Sequence, residues 1–470
     1  MVNGATYIRR ELLIRLVRAF DNGVLSEEID QIPIKLRPKD SDASRCCIYH
    51  DRAILKYRLM ALLGISAEEE TDEAKTLSEY LDEIIDGEVR EISEDSEFER
   101  KTAPLSVCPP ACSGCPAARV VSTSNCRGCF ARPCVYSCPK NAITVTNGRS
   151  QIDDTKCIKC GKCISACPYN AIVKTTVPCE EACPVGAIRK NERGVAEIDF
   201  SKCIFCGKCF MSCPFGAVME RSQIVAVLSA MKRGEKLVAM VAPAADRQFP
   251  GTVEQLLAAC VKAGFSDVIE VALGAEKTTE HETAEFLERM EKDSKTFMTT
   301  SCCPAYVNLI GKHLPELIDN VSLTPSPMVY THEMIRETNP HAKTVFIGPC
   351  VAKRSEARRK GIDFVLSFEE LGAILAGRKI DVLACEPHPI DRPAATTARN
   401  FARSCGVTEA VLAEATAKLS GFQLSSKQIN GIDRKTCSML KLYASGKLPA
   451  NFLEVMACPG GCVNGPCSLS

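Results

Sequence analysis

The sequence predicts a multidomain protein in three parts: an α-helical N-terminal region over residues 1–105, an α+β cysteine-rich region over 106–220, and a C-terminal α/β domain over 235–470. Three observations predict this. A chain of 470 residues is long enough for about three domains. Between 106 and 220 lie 17 of the 29 cysteines, arranged in an internal repeat. Beyond 235, short apolar runs alternate with helical periodicity, as strands alternating with helices would.

In the first region, Ile8, Leu12, Leu16 and Phe20 mark one helical face, with Arg9, Arg10, Arg15 and Arg18 largely elsewhere. Further helices are expected over 51–63 and 75–85, and the acidic run 68–99 reads as a solvated helix followed by a linker. A packing or docking role without chemistry fits this region. Its two cysteines, Cys46 and Cys47, read as half-buried thiols rather than a ligand pair. In the last region, strands are expected at 237–242, 268–271, 295–298, 344–347 and 364–366, with helices near 252–263 and 280–290.

Composition narrows the chemistry. Lys+Arg and Asp+Glu balance at 58 each, which argues against nucleic acid or an anionic membrane as partner. No apolar run reaches the roughly 18 residues of a membrane span, and the first ten residues do not read as a signal peptide. A cytoplasmic, reducing setting is therefore expected, where cysteines bind metal or react rather than form disulfides. With six histidines and no tryptophan, thiolate is the plentiful soft ligand.

The middle region repeats itself. Asp154-Thr-Lys-Cys-Ile-Lys-Cys-Gly-Lys-Cys-Ile-Ser-Ala-Cys-Pro168 recurs as Asp199-Phe-Ser-Lys-Cys-Ile-Phe-Cys-Gly-Lys-Cys-Phe-Met-Ser-Cys-Pro214, and Pro133-Cys-Val-Tyr-Ser-Cys-Pro139 as Pro178-Cys-Glu-Glu-Ala-Cys-Pro184. The C-x2-C-x2-C-x3-C-P run is a bacterial ferredoxin signature whose fourth cysteine ligates the other cluster of a pair. By that rule Cys126, Cys129, Cys134 and Cys167 hold one 4Fe–4S cube, and Cys157, Cys160, Cys163 and Cys138 a second. Cys203, Cys206, Cys209 and Cys183 hold a third. Zinc competes poorly, because its sites seldom interleave in this way.

A fourth site is incomplete in the repeat, since Ala171 and Lys174 stand where two cysteines should recur beside Cys179 and Cys213. Upstream, Cys112-x2-Cys115 has the missing spacing, with Cys108 as spare. Two readings stand: this segment folds back to complete a fourth cube, or the site has decayed. No G-x-G-x-x-G fingerprint follows a strand, so the electron partner is expected to be a ferredoxin or another redox subunit rather than NAD.

Three further segments read as one metal site: Thr300-Ser-Cys-Cys-Pro304, Gly348-Pro-Cys-Val-Ala-Lys353 and Glu454-Val-Met-Ala-Cys-Pro-Gly-Gly-Cys462. Cys303, Cys350, Cys458 and Cys462 supply the four thiolates of a cube, and Cys302 is left as a free thiol. The three segments, in this order, resemble the signatures of the iron-only ([FeFe]) hydrogenases, which interconvert protons, electrons and H2. The resemblance covers roughly residues 235–467 and implies that the C-terminal α/β domain is a hydrogenase catalytic domain. It also implies dedicated maturation proteins and an H-cluster, a 4Fe–4S cube joined through a cysteine to a two-iron subsite with CO, cyanide and an azadithiolate amine. On the same resemblance, Cys462 is the bridging ligand. A proton relay is implied through Cys302, Glu282, Ser322, Glu285 and Arg289. Ala242, Pro243 and Lys353 match contacts to the cyanide-bearing subsite, and Met456 matches a packing methionine. Glu282, Glu285 and Arg289 also share one helical face by spacing alone, which in isolation reads as a solvated stripe.

Some positions depart from the family pattern. Tyr306 stands where Trp is usual, Gly348 where Met is common, and Met328 where Gln is frequent; the third signature continues Gly465-Pro-Cys467-Ser-Leu-Ser470. These place the chain near the divergent branch called group B. The alternatives are a non-catalytic H2 or redox sensor, an iron–sulfur assembly relative keeping only the cube, and a plain electron-transfer protein.

Overall fold

The computed structural model describes residues 4–469 apart from 68–69, 71, 87–101, 294–295, 391, 420–423 and 446–449. Half of the acidic run 68–99 and the start of the strand expected at 295–298 lie outside the described residues.

Two parallel sheets build the C-terminal part. The larger orders Asp267–Glu270, Leu237–Val241, Lys343–Ile347 and Phe364–Leu366, all parallel. Leu237–Val241 is buried along its whole length, as a strand covered on both faces must be. The smaller orders Met298–Thr299, Phe452–Met456 and Ser426–Asn430. Helix Val253–Lys262 starts at a capping box between Thr252 and Gln255. The expectation of a helix near 280–290 is corrected: it begins at Val271, directly after the strand, and runs to Lys292. Its first three turns bury Val271, Ala272, Gly274, Ala275, Thr278 and Thr279. Packing thus overrides the weak helix preference of glycine and the β-branched residues there.

The N-terminal helices Gly4–Asp21, Ile48–Leu62 and Leu77–Asp86 do not carry a core of their own. Leu12, Leu16, Leu59 and Leu81 belong to one continuous apolar cluster with the larger sheet. Arg9 and Arg10 pair with the buried Glu369, which lies in the helix Phe368–Gly377. Cys46 and Cys47 are exposed rather than half-buried.

The middle region is two small units, one inserted in the other. Strand Arg119–Ser122 pairs with Ile172–Thr175 and, with the hairpin Ile143–Thr146/Arg149–Ile152, frames the first. Leu105–Val107 pairs with Val218–Glu220 and, with Ile188–Lys190/Ala196–Ile198, frames the second. The second unit is therefore closed by a strand from upstream of the first. Its core runs into that of the C-terminal part, joining Ile204 and Phe205 to Tyr306 and Leu453. The first unit keeps a small cluster of its own around Val120, Ile143 and Ile172.

Candidate active site

Each expected segment leaves the C-terminal end of a parallel strand. Ala242 and Pro243 follow Leu237–Val241, Cys302 and Cys303 follow Met298–Thr299, Cys350 follows Lys343–Ile347, and Cys458 follows Phe452–Met456. Open α/β sheets gather their working loops at that end. The Thr300 N–H donates to the Leu453 carbonyl (3.1 Å) and the Val455 N–H to Thr300 Oγ1 (3.2 Å), which fixes the first segment to the third. The turn into Cys462 requires glycine: Gly461 has φ +96°, and a Cβ there would lie 2.5 Å from the Ala402 carbonyl oxygen.

These loops enclose a cavity of about 860 Å³, counting its mouth, lined by Cys302, Cys303, Cys350, Cys458 and Cys462, with Ala242, Pro243, Met456 and Lys353. Among the described residues, no three Cys, His, Asp or Glu side chains close on a point that would hold a single ion. The sulfurs instead border a space, as the ligands of a polynuclear cube must. Burial pushes the Cys350 thiol up to about 11 and Cys462 to about 12, with the neighbouring thiols adding to the effect. Such thiols keep their protons until a cation takes the sulfur. The donor set therefore fits a cube.

Lys353 is buried at the cavity wall. Its ammonium donates to Glu356 Oε2 (2.7 Å) and Ser326 Oγ (3.0 Å), while the Ser326 hydroxyl donates to Glu356 Oε1 (2.7 Å). Burial opposes its charge, but the Glu356 carboxylate outweighs that and raises its pKa. Tyr306 is fully buried and donates to Thr299 Oγ1 (2.9 Å). Gly348 leaves the room that the Phe346 ring fills, since a Cβ there would sit 2.7 Å from it. Met328 and Phe346 both line the cavity.

Behind Cys302 the expected relay residues are gathered, with one gap. Burial, then the Glu282 charge, pushes the Cys302 thiol well above its usual range. Glu282 is fully buried in the long helix, and neither carboxyl oxygen has a hydrogen-bond partner. The Ser301 N–H and the Ser322 hydroxyl face it without closing a bond. Burial, then the nearby Glu285, raises Glu282 to about 8. Beyond it the chain is continuous: Ser322 Oγ donates to Glu285 Oε2 (2.7 Å), and Arg289 donates to Glu285 Oε1 (2.6 Å). Burial opposes the Glu285 charge, yet the Leu323 N–H, Ser322, Thr324 and Arg289 together hold its pKa below the ordinary value.

The accessory cysteines fall into groups. Cys134 lies beside Cys129 and Cys167, and Cys163 beside Cys157, Cys138 and Cys160. Cys209 lies beside Cys203, Cys206 and Cys183. Cys126 points its sulfur at Ser150, whose N–H donates to it at 3.4 Å. In the second unit Cys179 has Cys213, Cys112 and Cys115 as neighbours; the Leu105–Val107 strand carries the upstream pair there. The four Cys-Pro cysteines share one local bond: Ala142, Ala171, Ala187 and Ala217 donate N–H to Cys138, Cys167, Cys183 and Cys213 at 3.2–3.4 Å.

Sequence reasoning missed that Cys206 also lines the large cavity and lies beside Cys458. It missed the Ser326–Glu356 clamp on Lys353, of which only the i,i+3 spacing of Lys353 and Glu356 was a local signal. It also missed Glu454, which is fully buried near Cys302 and accepts from the N–H groups of Cys405 and Thr408.

Comparison with known proteins gives a consistent picture. Residues 235–466 match the C-terminal domain of the iron-only hydrogenase large subunit, 150–173 a 4Fe–4S binding domain and 174–217 a 4Fe–4S dicluster domain. The chain is 30% identical over 374 residues to the periplasmic [Fe] hydrogenase large subunit of Nitratidesulfovibrio vulgaris, covering 67% of this chain and 85% of that protein. It is 28% identical over 391 residues to iron hydrogenase 1 of Clostridium pasteurianum, covering 70% of this chain and 66% of that protein. A third relative, the cytosolic Fe–S cluster assembly factor NAR1 of Eremothecium gossypii, is 23% identical over 263 residues, 43% of this chain and 58% of that protein. No described helix is long and apolar enough to cross a membrane.

Proposed function

Because the chain belongs to the iron-only hydrogenase family, we propose that it interconverts 2 H+ + 2 e− and H2, passing electrons to or from a ferredoxin or other redox subunit. The observation that carries this reading is one cavity in which Cys303, Cys350, Cys458 and Cys462 meet the free thiol of Cys302, with Glu282, Ser322, Glu285 and Arg289 leading away from it. Bound by those four cysteines, an H-cluster supplies the redox chemistry and the making and breaking of the H–H bond.

The chain's own residues supply placement and proton traffic. Ala242, Pro243, Met456 and Phe346 keep the cavity apolar and exclude water. Lys353 presents a charged donor to an anionic ligand. Cys302 holds a proton at its sulfur, and Glu282, neutral at pH 7 by virtue of its raised pKa, exchanges that proton toward Ser322 and Glu285. Arg289 marks the outer end. Electrons reach the cavity from the second unit, where Cys206, itself a ligand of the third accessory site, lies beside Cys458. The accessory sites number four in this reading, the last held by Cys112, Cys115, Cys179 and Cys213. A cytoplasmic setting and dedicated maturation partners belong to the same proposal.

A second reading, a sensor or assembly-type relative that keeps only the cube, is supported by the similarity to the assembly factor. The relay residues favour catalysis over it. Anaerobic loading with iron, sulfide and the two-iron cofactor, followed by H2 assay with reduced methyl viologen, tests the choice. Sustained H2 above a cofactor-only control is expected. No H2 despite infrared bands from CO and cyanide would overturn catalysis in favour of a sensor, and neither H2 nor bands would favour the cube-only relatives.

A further inference from the structure

We propose that the inserted unit, residues 119–175, is the docking face for an acidic one-electron carrier protein, centred on the loop that carries Cys160. The inference rests on the reading that the accessory cysteines hold iron–sulfur clusters. The chain as a whole is neutral, with 58 basic and 58 acidic side chains. Residues 119–175 nevertheless carry nine basic side chains against two acidic ones, and all nine are exposed. Only Lys156 has an ion-pair partner among the described residues, Asp153 at 3.5 Å.

Bound clusters are anionic, so neighbouring lysines need not mean a partner. The duplicated unit provides the control. Residues 105–118 and 176–220 together hold eight ferredoxin-type cysteines, as 119–175 do, counting Cys112 and Cys115, yet their five basic side chains face six acidic ones. Compensation of the clusters therefore does not account for the excess. The position of the units does. The second unit shares its core with the catalytic part, whereas the first keeps a separate small core. Cys160 is the one exposed residue among the sixteen accessory cysteines. Around it, Lys140, Ile158 and Lys159 border the same crevice as Cys138, Cys157 and Cys163. Ile158, Tyr136, Tyr169 and Phe130 are exposed apolar side chains on this unit, and a charged rim around apolar contacts suits a transient complex.

Each encounter moves one electron from the reduced carrier, which is oxidised, to a cluster of the first unit, which is reduced. Two encounters supply the two electrons of one H2. A carrier with a negative face is steered to this unit by its field, and the steering weakens with salt.

The test uses the full chain with its clusters reconstituted, with no two-iron cofactor required. Stopped-flow absorbance follows bleaching of the clusters by a reduced, acidic two-cluster bacterial ferredoxin. Lys140→Glu/Lys159→Glu/Lys162→Glu is compared with wild type and with Lys262→Glu/Lys360→Glu/Lys379→Glu, whose lysines are exposed on the catalytic part. The first triple variant is expected to lose at least about tenfold in second-order rate at low ionic strength and most of its salt dependence. The second is expected to stay within about twofold of wild type, its charges lying on the catalytic part and outside the docking unit. Dithionite should bleach all three proteins equally. Equal loss in both variants, no loss in either, or no reduction by the ferredoxin would overturn the proposal. So would an anionic vesicle or polyanion that blocks nothing while binding the same lysines. Absence of dithionite-bleachable absorbance in the wild type would instead overturn the cluster reading beneath it.

Discussion

Replacing Glu282 by Gln probes the buried carboxyl on which the relay depends. The carboxyl is fully buried, lacks a hydrogen-bond partner and is raised to about 8 from an ordinary 4.5. At about 1.4 kcal/mol per tenfold, that amounts to about 5 kcal/mol of folded-state preference for the neutral acid. Between those two pH values the unfolded chain has released this proton and the folded chain has not. Wild-type stability therefore falls as pH rises from about 4.5 to about 8 and is level beyond, with about 3 kcal/mol lost by pH 7. Glutamine has the same shape and no such proton, so Glu282→Gln should match wild type near pH 4.5 and exceed it increasingly toward pH 8. Thermal melts of the apoprotein across that range measure the difference. Infrared difference spectra should show a protonated carboxyl band, absent in the variant, that titrates near 8. In the loaded enzyme, turnover should fall by about 10²- to 10⁴-fold, the usual loss for a removed proton-transfer group, with iron content unchanged. Parallel stability curves, a band titrating near 4, or turnover within a few-fold of wild type would mean that Glu282 holds no such proton or carries none in turnover.

Other perturbations follow from the same geometry. Cys112→Ala/Cys115→Ala should lower iron by about four atoms per chain, one cube's worth; unchanged iron after reconstitution would show that the upstream pair binds nothing. Glu356→Gln leaves Lys353 buried without its 2.7 Å counter-charge and should cost about 3–5 kcal/mol in melts of the apoprotein near neutral pH. Gly461→Ala forces a Cβ onto a φ of +96° and against the Ala402 carbonyl, and should lower the melting temperature and prevent cube assembly at the cavity, read as iron and visible absorbance. Cys302→Ala should keep the cofactor, seen by infrared, and lose nearly all turnover.

What the sequence made legible was local. The strand Phe364–Leu366 stands out as a short apolar run, helical periodicity marks the helix near 252–263, and the cysteine spacing groups the accessory sulfurs. What escaped depended on tertiary pairing. Val271-Ala-Leu-Gly-Ala-Glu-Lys-Thr-Thr reads as no clear periodicity, because it is buried against more than one neighbour. Nothing local says that Leu105–Val107 pairs with Val218–Glu220 across an inserted unit. Spacing made the fold-back of Cys112 and Cys115 one of two open readings, and the strand supplies its physical means. Likewise, Ser326 meets Lys353 only through the fold, and Cys206 reaches the large cavity only because the second unit shares a core with the catalytic part. The helical N-terminus was legible as helices, but its merger with the larger sheet was not.

Isotope exchange tests H2 cleavage at this cavity without an electron partner. The loaded protein is placed under D2 in H2O without donor or acceptor, and HD and H2 are followed by mass spectrometry. Catalysis at this cavity, with Cys302 exchanging protons, is expected to give steady isotope exchange that Cys302→Ala nearly abolishes at equal cofactor content. Exchange no faster than the free two-iron cofactor gives would mean that the cavity does not cleave H2.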